Sequence, residues 1–303
     1  MKVNVNDTVY TLPDFLILGG AKCGTTSLSQ YLSEHSKVYI PKVKECRFLS
    51  GMKPDFKGPG DNVVNNEMIT NIDDYSALFE KARVNQVSCD ASVDYLYFYE
   101  DTTKNIKKFY GEKPPKMIIL LRNPIKVSFS MYMHLKRDLR EDLPLKDALK
   151  AQNKRLKNNW EWVWQYINIA MYSEQVEYYI KNFDKDNIKI IIFEDFINNI
   201  EVEFENILTF LNLNKEEVNL HKTHNKSGNP KSKSLQKLVL NKNPLVMLLK
   251  KMTPKQLKDK ISNANIDTVK ISEEDINLLR PYFEEDIKKL ESILNRDLSI
   301  WRI

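Results

Sequence analysis

Short apolar runs alternate with segments of helical periodicity along most of the chain. Residues 15–18 (FLIL) and 117–121 (MIILL) are continuous apolar runs, and residues 188–193 (IKIIIF) are rich in β-branched side chains. Runs of this length are typical of strands that are buried on both faces of a parallel sheet. Because helical segments separate the runs, the pattern predicts an α/β fold, a three-layer sandwich of helices around a central parallel sheet.

The same patterns give the expected bounds of the other elements. Helices are predicted at 25–35, 75–83, 101–109, 125–136, from 145 onward, at 169–183 and at 272–293. Pro281 is expected to divide the last of these by opening the first turn of a second helix. Extended segments are predicted at 38–40, at 87–96, where a strand opens into a loop, and at 3–10 as an edge strand. Residues 51–72 predict a surface loop. With no internal repeat, we expect one domain over residues 1–303.

Composition limits the classes of function. A chain of 303 residues that is 42% hydrophobic can bury a large core. No segment approaches the roughly 20 apolar residues of a membrane helix, and the first residues lack the apolar core of a signal peptide. Cys23, Cys46 and Cys89 lack metal-ligand spacing, which predicts reduced thiols and no metal site. These features predict a soluble, cytoplasmic protein.

The net charge of +5 is distributed unevenly. Residues 221–260 contain eleven lysines and one acidic residue, Asp259, so the rest of the chain is acidic overall. Such a segment is either a solvated surface or a site for a polyanion, whether nucleic acid, an acidic membrane surface or a polyanionic substrate. Nucleic acid is disfavoured, because no helix-turn-helix, zinc-finger or RNA-binding aromatic motif accompanies the lysines.

A glycine-rich turn between the first apolar run and the first helix is typical of a phosphate site. Three of the residues 19–24 are glycine, and hydroxyl residues occupy 25–27. The N–H groups of such a turn and the positive end of the helix dipole hold an anion. Gly19 and Gly24 have the spacing of the nucleotide-triphosphate P-loop, but Thr25 stands where that motif needs lysine. We therefore predict a P-loop-like strand-loop-helix that binds phosphate without nucleotide triphosphate hydrolysis.

Two segments carry a resemblance to a known family. The first, 19–32 (GGAKCGTTSLSQYL), resembles the phosphosulfate-binding loop of sulfotransferases that use 3'-phosphoadenosine 5'-phosphosulfate (PAPS). The second, 121–132 (LRNPIKVSFSMY), is similar to the family signature of strand, Arg-Asn-Pro and helix. The ending, 290–301, is similar to the C-terminus of bacterial and carbohydrate-type sulfotransferases, so the resemblance covers nearly the whole chain. It implies PAPS as donor co-substrate and no metal.

Shorter segments resemble the family with local departures. Residues 42–48 are similar to its Lys-Glu-x-x-Phe-Phe segment, with Leu49 in place of the second aromatic residue. Residues 87–96 are similar to its Glu-x-Ser-Pro-x-Tyr-Leu segment, from which Asp90 and Val93 depart. Residues 188–196 are similar to its strand-Glu-Asp-Leu segment, and 225–232 to the loop that folds over the cofactor.

The resemblance implies a donor site with three parts. The loop would hold the 5'-phosphosulfate, and Lys22 would stabilise the charge that grows on the departing phosphate. Arg122 and Ser130, about two helical turns apart, would bind the 3'-phosphate. Family members often carry arginine at the position of Val127, and Lys126 or Lys231 would supply the missing charge. The implied donor-binding residues are Gly20, Ala21, Lys22, Cys23, Gly24, Thr25, Thr26, Ser27, Arg122, Ser130, Tyr172, Ser227, Gly228 and Lys231.

Three of the implied roles have alternatives. Tyr172 matches a family tyrosine near the adenine, although an aromatic residue on an amphipathic helix is as often part of the core. Glu45 matches the family's general base, which removes the proton of the acceptor; the alternative is an ordinary ion pair with Lys42 or Lys44. His134 is the other candidate base, because other sulfotransferases use histidine, and its position also suits packing or lining of the cleft.

Together these features predict an enzyme that moves a sulfuryl group from PAPS to a hydroxyl or amine of a small-molecule or glycan acceptor. The context of Glu45 favours a carbohydrate or glycolipid, and a phenol or other small secondary metabolite is the alternative. Thr25 argues against a small-molecule kinase. A non-catalytic polyanion-binding module is disfavoured by the joint presence of Lys22, Glu45, Arg122 and Ser130. Loops 51–72 and 137–165 are expected to shape the acceptor cleft.

Overall fold

The computed structural model describes residues 1–220, 229–240, 243, 264–267 and 269–302. The strands are β1 (Lys2–Val5), β2 (Thr8–Thr11), β3 (Phe15–Gly19), β4 (Val38–Tyr39), β5 (Val87–Ala91), β6 (Lys116–Leu121), β7 (Ile188–Ile192), β8 (Asn229–Pro230) and β9 (Ile266–Asp267). The first helices are α1 (Thr25–Glu34), α2 (Asn62–Glu67), α3 (Ile72–Ala77), α4 (Asp94–Tyr97), α5 (Tyr99–Tyr110) and α6 (Pro124–Arg137). They are followed by α7 (Leu145–Lys157), α8 (Tyr172–Asn182), α9 (Phe193–Asn198), α10 (Ile200–Phe210), α11 (Lys233–Leu240) and α12 (Glu273–Leu294).

The central sheet has five strands in the order β4-β5-β3-β6-β7, and every neighbouring pair is parallel. All five residues of β3 are buried, as are residues 117–121 of β6. Helices cover both faces of such a sheet, which explains why β3 and β6 are continuous apolar runs rather than alternating ones. The predicted α/β class with a central parallel sheet is confirmed.

The chain leaves the neighbouring strands β3 and β6 in opposite directions. From β3 it passes through α1 to β4 at one edge, and from β6 it passes through α6 to β7 at the other edge. Because crossovers between parallel strands are right-handed, these opposite directions place α1 and α6 on opposite faces of the sheet. The loops after β3 and β6 diverge at neighbouring strand ends, and this divergence opens the crevice in which α/β proteins bind ligands.

Three elements near the N-terminal half differ from the prediction. Residues 3–10 do not extend the central sheet; β1 and β2 form a separate antiparallel hairpin, whose turn residues Asn6 and Asp7 have φ of 50° and 64°. Two positive φ values are what a tight two-residue hairpin turn requires. The helix predicted at 75–83 is α3, which begins at Ile72 because Asn71 caps it by accepting a hydrogen bond from the N–H of Asp74. After β5 the chain enters α4 rather than a loop.

The predicted division of the last helix at Pro281 is wrong, because α12 continues from Glu273 to Leu294 with Pro281 inside it. Leu279 and Phe283 are buried on either side of the proline, and Ile287 continues the same stripe. Pro281 and Asn277, whose carbonyl oxygen loses its helical partner, are both exposed residues. Packing of the buried stripe therefore holds the helix together across the proline.

None of the helices in the described part of the chain combines the length and the apolar character needed to cross a membrane.

We predict that Pro281→Ala raises the free energy of unfolding by about 1–2 kcal/mol, because alanine restores a helical hydrogen bond and removes the clash of the proline ring. Urea denaturation measures the change, with Tyr282→Ala, an exposed neighbour, as control. A stability that stays the same or falls would indicate that Pro281 begins a separate helix.

Candidate active site

A cavity of about 470 Å³ opens at the crevice between the ends of β3 and β6. Four segments supply most of its wall: the loop after β3, the first turn of α1, the polar face of α6 and the segment that contains α2. The lining residues are Ala21, Lys22, Gly24, Thr25, Thr26, Ser27, Glu45, Arg47, Gly60, Val63, Val64, Glu67, Val93, Arg122, Ser130, Met131, His134, Arg137, Arg140, Glu161, Trp162, Val163 and Phe193.

The loop after β3 keeps the N-terminus of α1 open. Gly24 is the N-cap residue of α1, has φ of 90°, and a Cβ added to it would lie 2.7 Å from the ring of Phe193. Only glycine fits this position without strain. Among the described residues no side chain caps the helix, and no acidic residue lies in its first turn. The first N–H groups of α1 therefore lack side-chain partners beside the cavity, where they suit an anion.

Two lysines supply positive charge at this helix end. Lys22 lines the cavity, and burial lowers its pKa to about 8, with the positive charge of Arg137 acting in the same direction. Lys44 reaches back from its own loop and donates a hydrogen bond to the hydroxyl of Thr26. An anion bound between these groups would favour protonated Lys22, because opposite charge raises the pKa of an ammonium group.

Arg122 lies at the end of β6, beside the loop that follows β3. Its Nη1 donates to the carbonyl of Lys22 at 3.1 Å, and its guanidinium lies 4.8 Å from the centre of the Phe193 ring. Its Nε is buried and has no hydrogen-bond partner among the described residues. Ser130 lines the same cavity. An arginine with an unused donor and a hydroxyl in one cavity fit a phosphate group.

The two lysines that were expected to replace the charge missing at Val127 do not line the cavity. Lys126 and Lys231 are exposed, and neither lines the cavity. The backbone N–H of Lys231 donates to the carbonyl of Asn265 at 2.7 Å, so this residue belongs to the β8–β9 pair. Val127 is fully buried and does not line the cavity. Ser227 and Gly228 lie outside the described residues.

Tyr172 and Cys23 lie beneath the loop rather than in the cavity. Both side chains are fully buried, with the Cys23 sulfur 3.6 Å from the Tyr172 hydroxyl. Tyr172 also packs against Trp301, with ring centres 6.1 Å apart. In this structure Tyr172 is therefore part of the core and does not line the cavity, in contrast to the predicted position near the adenine. Burial raises the pKa of Cys23 to about 12, so the thiol stays protonated. Gly20, whose N–H donates to the carbonyl of Leu120, ties the loop to β6.

Glu45 lines the same cavity. It forms an ion pair with Arg47 rather than the pair with Lys42 or Lys44 that the sequence suggested. Its Oε2 accepts from Nη2 of Arg47 at 2.8 Å, and no such bond joins it to Lys42 or Lys44 among the described contacts. Nη1 of Arg47 lies 3.4 Å from Oε1 of Glu161, so the guanidinium bridges two carboxylates. Asp94, which is fully buried in α4, is a third acidic neighbour of Arg47. Burial raises the pKa of Asp94 to about 7, and the positive charge of Arg47 opposes this rise.

His134 is held in one orientation by its neighbours. Nη2 of Arg137 lies 2.7 Å from Nδ1 of His134. Because a guanidinium only donates hydrogen bonds, Nδ1 accepts and the ring proton is assigned to Nε2. Burial, followed by the positive charge of Lys22, lowers the pKa of His134 to about 3. A neutral ring with its lone pair already occupied is poorly suited to take a proton from an acceptor.

The sequence missed the charged residues that fix the outer wall. Asp61 is fully buried and accepts from the N–H groups of Gly58 and Glu161 at 2.7 and 2.9 Å. Arg140 pairs with Asp61 and, at 3.0 Å, with Glu161. These bonds hold α2 and its flanking loop against the cavity. Segments 51–72 and 137–165 thus line the site as expected, although no local pattern in either shows which of its residues meet.

Comparison with known proteins gives a consistent picture. The family model described as sulfotransferase domain matches residues 12–290. Human carbohydrate sulfotransferase 15 is 22% identical over 252 residues, which cover 67% of this chain and 44% of that protein. The chain thus spans less than half the length of this relative or of its mouse counterpart.

A solved structure shows the same arrangement of the backbone. The sulfotransferase from Alicyclobacillus acidocaldarius is 30% identical, and it superposes with a TM-score of 0.75 over 96% of this chain and 99% of that one. The family match includes β3, the phosphate loop, the whole of α6 and most of α12. On these grounds, the chain belongs to the sulfotransferase domain family.

Proposed function

We propose that this protein transfers the sulfuryl group of PAPS to a hydroxyl or amine of an acceptor. The observation that carries the proposal is that Lys22, Arg122 and Ser130, which come from separate elements, line one cavity. Membership of the sulfotransferase domain family supports the same reaction.

The residues of the cavity fit the charges of this donor. PAPS supplies a sulfuryl group activated by a phosphate leaving group. The open N-terminus of α1, with the hydroxyls of Thr25, Thr26 and Ser27 in its first turn, would bind the 5'-phosphosulfate. Arg122 and Ser130 would bind the 3'-phosphate, and the unused Nε of Arg122 supports that role. Ser227, Gly228 and Lys231 stay in the proposal as the loop over the cofactor.

Lys22 is the proposed catalytic cation. When the bond between sulfur and the bridging phosphate oxygen breaks, that oxygen keeps the electron pair. An ammonium group beside it stabilises the transition state more than the ground state. The lowered pKa of Lys22 supports this role, because a half-buried cation is stabilised when negative charge develops next to it.

Glu45 is the proposed general base. Its ion pair with Arg47 fixes the carboxylate at the cavity wall. Arg47 also contacts Glu161 and interacts with Asp94. Glu45 therefore combines a fixed position with a carboxylate free to accept one proton, whereas the hydrogen bonds of His134 leave it no lone pair.

The wall around the proposed acceptor site is rich in charged groups. Arg140, Glu67 and Glu161 line it together with a few apolar residues such as Val63 and Trp162. Side chains of this kind hydrogen-bond a molecule that carries many hydroxyl groups. We therefore favour a sugar or glycolipid acceptor over a phenol, and the likeness to a carbohydrate sulfotransferase supports that choice.

We predict that Lys22→Ala lowers the rate of sulfuryl transfer by about 10²–10³, as expected for the loss of one preorganised donor to the transition state. Radiolabelled PAPS measures transfer, and Lys126→Ala, an exposed lysine outside the cavity, is the control. Near wild-type turnover of Lys22→Ala would remove this residue from the mechanism.

The same lysine gives a dependence on pH. Wild-type affinity for adenosine 3',5'-bisphosphate (PAP) should fall above pH about 8, because Lys22 then loses the charge that attracts the anion. Lys22→Ala should lack that decrease. A wild-type affinity that stays constant to pH about 9 would contradict the proposed contact.

We predict that Arg122→Ala weakens the binding of PAP by about 10–100-fold, because the variant loses charge-assisted hydrogen bonds to the 3'-phosphate. Adenosine 5'-phosphate, which lacks that group, should bind with nearly unchanged affinity. Calorimetric titration of both nucleotides measures the difference. Equal losses for the two would show that Arg122 supports the loop through its bond to Lys22 instead.

The acceptor class is tested by a screen of glycans, glycolipids and phenols with labelled PAPS. We expect a glycan or glycolipid to be labelled, and Glu45→Gln to abolish transfer while PAP affinity stays intact, because a base acts on the acceptor and not on the donor. Preference for phenols would overturn the acceptor class. An active Glu45→Gln variant together with an inactive His134→Gln variant would move the base to His134.

A further inference from the structure

One face of α6 carries two residues, His134 and Arg137, for which the proposed function assigns no contact with the donor. Ser130, His134 and Arg137 follow each other at spacings of four and three, which place them on the same side of a helix. All three line the cavity. Ser130 is proposed to bind the 3'-phosphate, so His134 and Arg137 form the other end of this polar face.

The charges of Arg137 and His134, at this end of α6, interact with that of Lys22. The positive charge of Arg137 is the largest charge effect that lowers the pKa of Lys22, and the positive charge of Lys22 is the largest that lowers the pKa of His134. Such effects require the groups to be near each other. Lys22 and Arg137 are thus two cations that line the same cavity, and an anion bound between them would relieve their repulsion.

The hydrogen bonds of Arg137 and His134 leave two donors unused. Arg137 donates from Nε to Asp138 at 2.8 Å and from Nη2 to His134 at 2.7 Å. Its Nη1 has no hydrogen-bond partner in the parts of the chain that the structure describes. Nε2 of His134, to which the proton is assigned, lies 3.6 Å from the Asp138 carboxylate, too far for a good hydrogen bond.

We propose that Arg137 and His134 bind the sulfuryl oxygens of the donor opposite Lys22, Arg137 as a fixed cation and His134 as a neutral hydrogen-bond donor. This inference rests on the proposed function and adds two residues that contact the reacting group. As the acceptor oxygen bonds to sulfur, the bond from sulfur to the bridging phosphate oxygen breaks. Glu45 takes the acceptor proton, and the phosphate oxygen keeps the electron pair. The sulfuryl oxygens carry negative charge throughout, which a cation and an N–H donor stabilise.

The assignment predicts a specific loss of affinity for the sulfuryl group. PAPS and PAP differ by that group, so titration of both isolates it without an acceptor. Arg137→Gln should weaken PAPS binding about tenfold or more, the value of one charge-assisted hydrogen bond, and leave PAP binding unchanged. Lys136→Gln is the matched control, because it removes the same charge from the neighbouring residue, which does not line the cavity.

Two substitutions of His134 separate a donor from a base. Glutamine keeps an N–H donor of similar reach, whereas leucine keeps bulk alone. His134→Gln should retain most of the wild-type PAPS-to-PAP affinity ratio, and His134→Leu should lower it. Binding of PAP by each variant verifies that the fold and the phosphate loop are intact.

The outcomes separate this inference from the proposed function. Unchanged affinity ratios in both Arg137→Gln and His134→Leu would overturn the sulfuryl contact, while PAP binding by the wild-type protein would leave the proposed function standing. Wild-type protein that binds neither nucleotide would overturn both.

Discussion

The site depends on one topological constraint, the opposite directions in which the chain leaves the neighbouring strands β3 and β6. Their loops diverge and leave a crevice that no side chain of the sheet fills. The glycine turn enters the crevice from one side and Arg122 enters from the other, where it donates to the carbonyl of Lys22. The loop after β3 and the end of β6 thus share one hydrogen bond and one cavity, and their relative position is set by the sheet rather than by flexible loops.

Charge balance within the cavity follows from the same arrangement. Lys22, Arg122, Arg137, Glu45 and Glu161 all line it. The carboxylates are paired with Arg47 and Arg140, whereas Lys22 has lost part of its basicity to burial and to Arg137. A bound anion would therefore stabilise the protonated form of Lys22.

The sequence predicted the parts of the site that local signals encode. An apolar run, a glycine turn and hydroxyl residues lie next to one another in the chain, so β3, the loop and α1 were predicted together, as were β6 and the Arg-Asn-Pro turn. Asp61, Arg140 and Glu161 were missed because they meet only after segments 51–72 and 137–165 pack together. The spacing of Ser130, His134 and Arg137 was a usable signal for the polar face of α6. At Tyr172 tertiary packing decides between two roles that the local pattern left open, and at Pro281 it overrides the helix division that the local pattern predicted.

The central claim, that this cavity binds a nucleotide with a 3'-phosphate for sulfuryl transfer, is tested most directly by calorimetric titration of the wild-type protein with PAP and, separately, with ATP and magnesium. The account predicts saturable binding of PAP to one site, and affinity for ATP with magnesium at least about 100-fold weaker, because Thr25 replaces the P-loop lysine and Arg122 and Ser130 then lack a 3'-phosphate. Binding of ATP with magnesium as tightly as PAP would contradict it.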